Sequence, residues 1–314
     1  MRERELILSE TGPDDIRLPF QLLPHGVRGR LVRLGPSADA ILSRHDYPDP
    51  VARLLGETLA LTACLAGALK FDGVFTVQAK GSGAVRTLVA DVTSDGALRG
   101  YAAYRAEDLE DDAASAEGDP HSAMRLLGGG YIAYTVDQGE HTERYQGIVE
   151  LQGASLSECT HAYFRQSEQL ETGVKLTAGR GADGQWRAAA LMIQRMPFEG
   201  GTGLGREVTQ EDYDDGWVTA MALMSSCRES ELLDVELAPD RLLYRLFHEA
   251  EVRASPAQKI VDACSCSPER VERMLAALSA DDIAYMKVDG VITVTCEFCK
   301  TERRYDDAAL AALS

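Results

Sequence analysis

The pattern of hydrophobic and polar residues predicts mostly β-strands up to about residue 198. Residues 26–35 and residues 75–105 have strand-like patterns, and in the second run Gly81, Gly83 and the pair Asp95-Gly96 indicate hairpin turns. Further strand-like runs follow, the last two of them around a glycine turn at 181–184: GYIAYTVDQ, RYQGIVELQG, GVKLTAG and WRAAALMIQRM.

Two segments within this region have a helical pattern instead. Residues 49–71 begin with Asp-Pro, which suits the start of a helix, and contain TLALTACLAGAL, the longest uncharged apolar run of the chain. That run is too short to cross a bilayer and predicts a buried helix. The second helical segment is LSECTHAYFRQSEQ. Strands mixed with a few helices, without a regular βαβ order, predict an α+β fold with a largely antiparallel sheet and packed helices.

The composition changes after residue 198, where glycines and acidic residues accumulate. Trp217, Met221 and Met224 are spaced i, i+4, i+7 and predict a helix with one apolar face, and a second apolar stripe covers residues 243–247. We call residues 199–256 the connector. Its high negative charge opposes tight packing, so we expect it to be helical and weakly anchored, an ordinary acidic pair of surface helices being the alternative.

The last segment predicts a helix followed by a hairpin. Ser267 suits an N-cap and Pro268 the first helical position, and Asp289-Gly290 is a two-residue turn signal between β-rich arms. Apolar residues of the helix recur at helical spacing: Val271, Met274, Leu275 and Leu278. We therefore expect an N-terminal α+β domain (residues 1–198), the connector (199–256) and a small C-terminal domain (257–314), whose size calls for a covalent or metal staple.

Charge and composition narrow the class of protein. The 314 residues are 45% hydrophobic and carry a formal net charge of −18, which is typical of a globular protein and repels polyanions. Nucleic acid is therefore not an expected partner. The first residues contain no sustained apolar run of the kind that forms a secretory signal, so we expect a cytoplasmic protein without a membrane partner.

Four of the seven cysteines lie in the last segment, as Cys264-x-Cys266 and Cys296-x-x-Cys299. Two thiolate pairs at points where the chain turns can converge on the corners of a tetrahedron around one zinc ion. His248 is the nearest histidine and lies outside the segment. We therefore predict a zinc site of four thiolates, with an iron–sulfur cluster or buried unligated thiols as the alternatives.

Other readings of the same residues carry less weight. A lone CxxC can indicate a thioredoxin-like oxidoreductase, but that chemistry places the first cysteine at a helix N-terminus within a βαβ unit. A nucleic-acid-binding zinc ribbon would use Lys300, Arg303 and Arg304, against the overall negative charge. Some further candidates receive no functional role: the glycines of GTGLG (201–205), the turn at His45, Asp46 and Tyr47, and the remaining cysteines Cys64, Cys159 and Cys227.

With these motifs in place, the sequence resembles the heat shock protein 33 family of redox-regulated chaperones. Besides the CxC and CxxC pairs, the resemblance covers HDYPDPV, LKFDGVFTVQAKGSG, GGGYIAYTV, ERYQGIVEL, YFRQSEQL and LLYRLFHE, in family order across nearly the whole chain. The chain departs from the family in an extension of roughly 17 residues at its N-terminus and in an acidic insertion at residues 107–119. Neither departure includes a cysteine of the predicted site.

The resemblance implies a non-enzymatic, ATP-independent chaperone, or holdase, of the stress response. In the family, the reduced protein holds one zinc ion with four cysteines, which here are Cys264, Cys266, Cys296 and Cys299. Oxidation releases the metal and forms two disulfides, which in this sequence pair Cys264 with Cys266 and Cys296 with Cys299. The middle segment then unfolds, and the protein dimerises and binds unfolding proteins.

Physical reasoning supports such a switch. Structural zinc contributes on the order of 10 to 16 kcal/mol of apparent folding free energy, which matches or exceeds the total stability of a typical domain. Losing it would unfold the last segment. If the connector packs on that segment, the unfolding would also expose Trp217, Met221 and Met224, and exposed apolar surface is what unfolding proteins bind.

Overall fold

The computed structural model describes residues 14–109, 123–139, 142, 144–197, 202–203, 206–207 and 209–312. The chain forms two compact units, divided between Asp262 and Ala263. Three features of the sequence lie wholly or largely outside the described residues: the N-terminal extension, the acidic insertion from residue 110 onwards and the GTGLG stretch. The three-part division expected from the sequence stays a prediction.

The first unit contains most of the regular structure. Its strands are β1 (Ile16–Leu22), β2 (Val27–Leu34), β3 (Val74–Gly81), β4 (Val85–Thr93), β5 (Ala97–Tyr104), β6 (Gly130–Asp137), β7 (Tyr145–Glu150), β8 (Thr172–Arg180), β9 (Trp186–Arg195), β10 (Thr202–Gly203), β11 (Arg206–Glu207), β12 (Val252–Ala254), β13 (Gln258–Lys259) and β14 (Val261–Asp262). Its helices are α1 (Pro36–Ser43), α2 (Asp49–Ala66), α3 (Ala123–Leu127), α4 (Leu156–Tyr163), α5 (Gln210–Ser226), α6 (Glu229–Leu232) and α7 (Pro239–Phe247). The second unit contains α8 (Pro268–Ala276), α9 (Ala280–Met286), β15 (Ile292–Thr295), β16 (Glu302–Tyr305) and α10 (Asp307–Ala311).

Two main sheets form the framework of the first unit. The first sheet has the order β12-β1-β2-β9-β8, with β13 also paired to β1, and the second has the order β14-β5-β4-β3-β6-β7. Neighbouring strands are antiparallel, apart from the short parallel pair of β14 and β5. The α+β fold with largely antiparallel sheets is therefore confirmed.

Helix α2 forms the centre of this unit, as its apolar sequence predicts. Fourteen of its eighteen residues are buried, and it contacts strands of both sheets. Gly56 allows the close approach, because a Cβ at that position would lie 2.6 Å from the Cβ of Ala178 on β8. Alternation along β2 points Val32 and Leu34 into this core and turns Val27 and Leu31 to the opposite face of the sheet.

The connector covers that opposite face of the first sheet, which we call the connector face. Trp217 and Met224 of α5 and Phe247 of α7 are buried in one cluster with the strand residues, and the rings of Phe20 and Phe247 stack with centroids 5.5 Å apart. The expectation of weak anchoring is thus wrong for the described part of the connector. Its acidic side chains face solvent, as at Asp215, so its charge does not oppose the packing of its apolar face.

The second unit has a small core of its own, formed by Leu275, Ile292 and Tyr305 with partly buried neighbours. Helix α8 begins as predicted, with the Ser267 side chain accepting a hydrogen bond from the amide of Arg270. The structure corrects the predicted hairpin. The first arm forms α9, capped by Ser279, and the Asp289-Gly290 turn joins α9 to β15, which pairs with β16 instead.

Candidate metal centre

The four cysteines of the second unit bring their sulfur atoms together. All four Sγ atoms lie within 4.8 Å of one another, with Cys264 and Cys296 3.8 Å apart and Cys266 and Cys299 3.4 Å apart. A tetrahedral zinc site with Zn–S distances near 2.3 Å places its sulfurs about 3.8 Å from one another. The spacing of the four sulfurs therefore fits one metal ion, and the two close pairs are too far apart for the S–S bond of a disulfide, about 2.05 Å.

Two turns of the backbone carry the sulfurs. Cys264 and Cys266 lie in the short link between β14 and α8, and the guanidinium of Arg270 donates a hydrogen bond to the carbonyl of Ser265 between them, 3.3 Å away. Cys296 and Cys299 lie in the loop that joins β15 to β16. There the amide of Cys296 donates to the carbonyl of Thr301 (3.0 Å), and the amide of Lys300 donates to the carbonyl of Cys296 (2.9 Å).

Lys300 completes this loop in the left-handed region, at φ +56°. The chain therefore turns sharply enough to direct both cysteines of the CxxC to one side. β15 and β16 pair through this loop, and the sulfur contacts between the two pairs place the CxxC next to a CxC that precedes it by about thirty residues.

Nearby polar groups stabilise negative charge on the sulfurs. Both Nη atoms of Arg303 on β16 donate to the sulfur of Cys266, at 3.6 and 3.7 Å, and Thr301 Oγ1 lies 3.2 Å from the sulfur of Cys299. Burial raises the pKa of Cys299, but hydrogen bonds with Thr301 and with the neighbouring cysteines outweigh burial and lower it to about 6. Burial and the hydrogen bond with Cys299 raise the pKa of Cys266.

These donors fit a metal ion that prefers sulfur. Thiolates are the ligand form of cysteine, and the lowered pKa of Cys299 favours that form. Each of the four side chains is partly exposed, which leaves the site reachable from solvent. Elsewhere in the part of the chain that the structure describes, three or more potential ligands from histidine, cysteine, aspartate or glutamate do not converge on one point.

The other cysteines lie in the first unit and are buried. Cys64 on α2 is fully buried, and burial raises the pKa of its thiol to about 11. Cys159 and Cys227 are each 1% exposed. Tyr47 of the weaker candidate turn has a structural contact, since its hydroxyl accepts a hydrogen bond from the amide of Ala102 (2.9 Å) and its ring stacks on His45.

No helix among the described residues combines the length and the apolar character needed to cross a membrane. The apolar run in α2, which the sequence singles out, is instead covered by the two sheets of the first unit.

Fold and site together define an α+β protein whose small second unit carries a four-cysteine centre able to hold a metal ion. The family model described as "Hsp33 protein" matches residues 15–306. The chain is 40% identical over 306 residues to the 33 kDa chaperonin of Caulobacter vibrioides, covering 96% of this chain and 98% of the relative. It is 35% identical to the 33 kDa chaperonin of Pseudomonas putida, covering 98% and 95% respectively.

A solved structure shows the same fold. The crystal structure of the 33 kDa chaperonin (heat shock protein 33 homolog) of Thermotoga maritima superimposes with a TM-score of 0.75 at 21% identity, over 95% of this chain and 97% of that one. The chain belongs to the Hsp33 family of chaperones. The resemblance drawn from the sequence is confirmed.

Proposed function

We propose that this protein is a redox-regulated, ATP-independent holdase that is inactive when reduced and zinc-bound. The observation that carries the proposal is the cluster of four cysteine sulfurs in a unit whose described residues bury only three apolar side chains. A unit with so small a core depends on its metal for stability. The same thiolates are oxidisable, so one set of residues can both hold the unit folded and sense an oxidant.

Cys264, Cys266, Cys296 and Cys299 would hold the zinc ion. Zinc bound to four thiolates supplies folding free energy and takes no part in electron transfer. Arg303 and Thr301 offset the negative charge of the four sulfurs through the hydrogen bonds described above.

Oxidation of these thiols is the activating step in this proposal. Cys264 pairs with Cys266 and Cys296 with Cys299, and the two thiolates of each pair give up two electrons as their S–S bond forms. For each disulfide, one molecule of hydrogen peroxide accepts these two electrons, takes two protons from the solvent and leaves as two molecules of water. A sulfur that has entered a disulfide is no longer a thiolate ligand, so the centre loses its donors.

Activity then follows from exposed apolar surface. Residues 261–262 form the last strand of the first unit and are separated from Cys264 by Ala263 alone, so unfolding of the second unit would begin where the chain leaves the first unit, a few residues after the connector. Release of α5 and α7 would expose the connector face and the buried side chains of Trp217 and Phe247. This surface would bind unfolding proteins in the cytoplasm, with a homodimer as the active form and without catalysis.

A paired assay tests the proposal. The reduced, zinc-loaded protein is treated with hydrogen peroxide at a temperature that destabilises it, while a metal-sensitive dye reports zinc and light scattering reports aggregation of an unrelated client protein. We expect about one zinc ion released per chain, two disulfides by peptide mapping, and suppression of aggregation only after oxidation. Turnover of a disulfide substrate would indicate a thiol oxidoreductase. If the protein shows neither disulfide turnover nor suppression of aggregation, the remaining interpretation is a zinc-dependent binding module.

Arg303 provides a prediction about the strength of the centre. Replacing it with methionine removes both N–H donors to Cys266, so we expect zinc affinity to fall by about tenfold to a hundredfold, as is typical when such supporting contacts are lost. Competition with a chelating dye under reducing conditions measures the affinity. Arg304→Met is the matched control, because Arg304 follows on the same strand and is exposed. Equal affinities for the two variants would contradict the role of Arg303.

A further inference from the structure

A buried arginine on the connector face contacts the backbone of the connector. Arg33 lies on β2 and is 1% exposed. Its Nη1 donates a hydrogen bond to the carbonyl of Leu237, 2.5 Å away, and its Nη2 donates to the carbonyl of Asp234. Its charge is balanced by Asp14, whose Oδ1 lies 3.3 Å from Nη2. The guanidinium thus joins the sheet to the loop between α6 and α7.

A second cation on the same face contacts the connector one element earlier. Lys175 lies on β8 opposite Leu191 of β9, and its Nζ donates a hydrogen bond to the carbonyl of Cys227, the C-cap of α5. Helix α5 has no basic residue in its own last turn. Lys175 therefore supplies the positive charge that favours the carboxyl end of a helix, from the sheet rather than from the helix.

We propose that Arg33 and Lys175 form a carbonyl latch that positions the connector on the first sheet and sets how readily it is released. The apolar contacts of the connector hold it against the sheet but tolerate small shifts along it, since hydrophobic attraction has no direction. Hydrogen bonds to three particular carbonyls, of Cys227, Asp234 and Leu237, require one register. The regulatory meaning of the latch rests on the proposed function, in which release of the connector gives activity.

The physical chemistry of these contacts suits a reversible latch. With the connector in place, the guanidinium of Arg33 is out of water and needs the two carbonyls and Asp14 as partners. After release, water can satisfy both the cation and the carbonyls, so opening leaves no unpaired charge. Removing only the cation has a different effect, because the docked connector then keeps carbonyl groups that have lost their donor, which favours the released state.

The same strand offers a matched control. Arg30 of β2 is also buried, at 6% exposed, but it points to the opposite face of the sheet, where its Nη1 donates to Oε1 of Gln194 on β9 at 3.1 Å. Substituting Arg30 removes a buried guanidinium and its hydrogen bond from β2 without removing a donor to the connector. A general loss of stability in the sheet is thereby separated from a loss of the latch.

The test is hydrogen–deuterium exchange of the reduced, zinc-loaded full-length chain, read by mass spectrometry. In Arg33→Met we expect the amides of α6 and α7 to exchange about tenfold faster or more. In Lys175→Met we expect the same increase for the amides at the end of α5. In both variants the amides of strands β3, β4 and β6 should stay protected. In Arg30→Met, the exchange rates of the connector amides should rise no more than those of the strand amides in the same variant. Arg33→Lys, which keeps the charge but has a single donor group, should be intermediate and serves if the methionine variant does not fold.

The outcomes separate the latch from the proposed function. Faster connector exchange in Arg33→Met and Lys175→Met, but not in Arg30→Met, supports the latch, and suppression of client aggregation by these two variants without oxidant would add the regulatory role. Faster exchange without any holdase activity, oxidised or not, would keep the latch and overturn the function. Exchange in the connector that rises equally in all three variants, or in none, would overturn the latch.

Discussion

Replacing Cys296 with alanine, or treating the zinc-loaded reduced protein with a strong chelator, is expected to unfold residues 263–312 and leave the first unit folded. Among the described residues of the second unit, only three apolar side chains are buried, those of Leu275, Ile292 and Tyr305, so this core cannot offset the entropy of ordering some fifty residues. A four-thiolate zinc site contributes about 10 to 16 kcal/mol of apparent folding free energy, more than such a core supplies.

Two-dimensional NMR spectra and limited proteolysis measure this effect. We expect the resonances of α8, β15 and β16 to collapse to random-coil positions, and cleavage to begin within residues 263–312. Cys64→Ala is the matched control, since it also removes one thiol but lies in the fully buried core around α2, away from the four-cysteine centre. A second unit that stays folded after complete removal of zinc would contradict a structural role for the metal.

Replacing Phe247 with alanine is expected to release the connector from the first sheet in the reduced protein. The side chain is fully buried and stacks on Phe20 of β1, so the substitution removes an aromatic ring from the middle of the interface between connector and sheet. Truncating a buried phenylalanine costs about 3–5 kcal/mol. Most of this free energy would be lost from the docking of α7 on the sheet, because Phe247 belongs to α7 and its ring packs on β1.

Proteolysis within the connector and binding of a hydrophobic dye report the release. We expect faster cleavage, a marked gain in dye binding and partial holdase activity before any oxidation. Tyr244→Ala is the control, because Tyr244 lies one turn earlier on the same helix and is 55% exposed. If both variants behave like the unsubstituted protein, Phe247 does not anchor the connector, and the buried interface contributes less to its docking than the structure indicates.

Local patterns in the sequence predict much of the fold because their signals involve neighbouring residues. The Asp95-Gly96 turn between β4 and β5, the buried helix α2 and the capped start of α8 all form where expected. The four cysteines were likewise identified from spacing alone, since few roles besides metal binding require two thiol pairs in one short segment. The same residues carry the resemblance to the heat shock protein 33 family.

Errors arose where a local signal was weak or had two readings. Strand β1 and helix α1 were not predicted; β1 has a proline in its middle, and α1 is a short helix with a modest apolar stripe. The residues before the Asp289-Gly290 turn looked like a strand, but the Ser279 cap and the acidic residues after it favour α9. Arg33 lies among the apolar residues of GRLVRL, and an arginine in such a run indicates a buried cation that needs a partner.

The sequence by itself determined the number and spacing of the thiols, the main turns and the helical character of the connector, because each depends on residues close together in the chain. Only the tertiary structure decided that the connector lies firmly on a sheet, that β15 pairs with β16, and that Arg33 meets the carbonyls of Asp234 and Leu237 some two hundred residues later. The physical reason is that burial and long-range hydrogen bonds depend on which surfaces the folded chain brings together, and a local pattern of apolar and charged residues is compatible with several such arrangements.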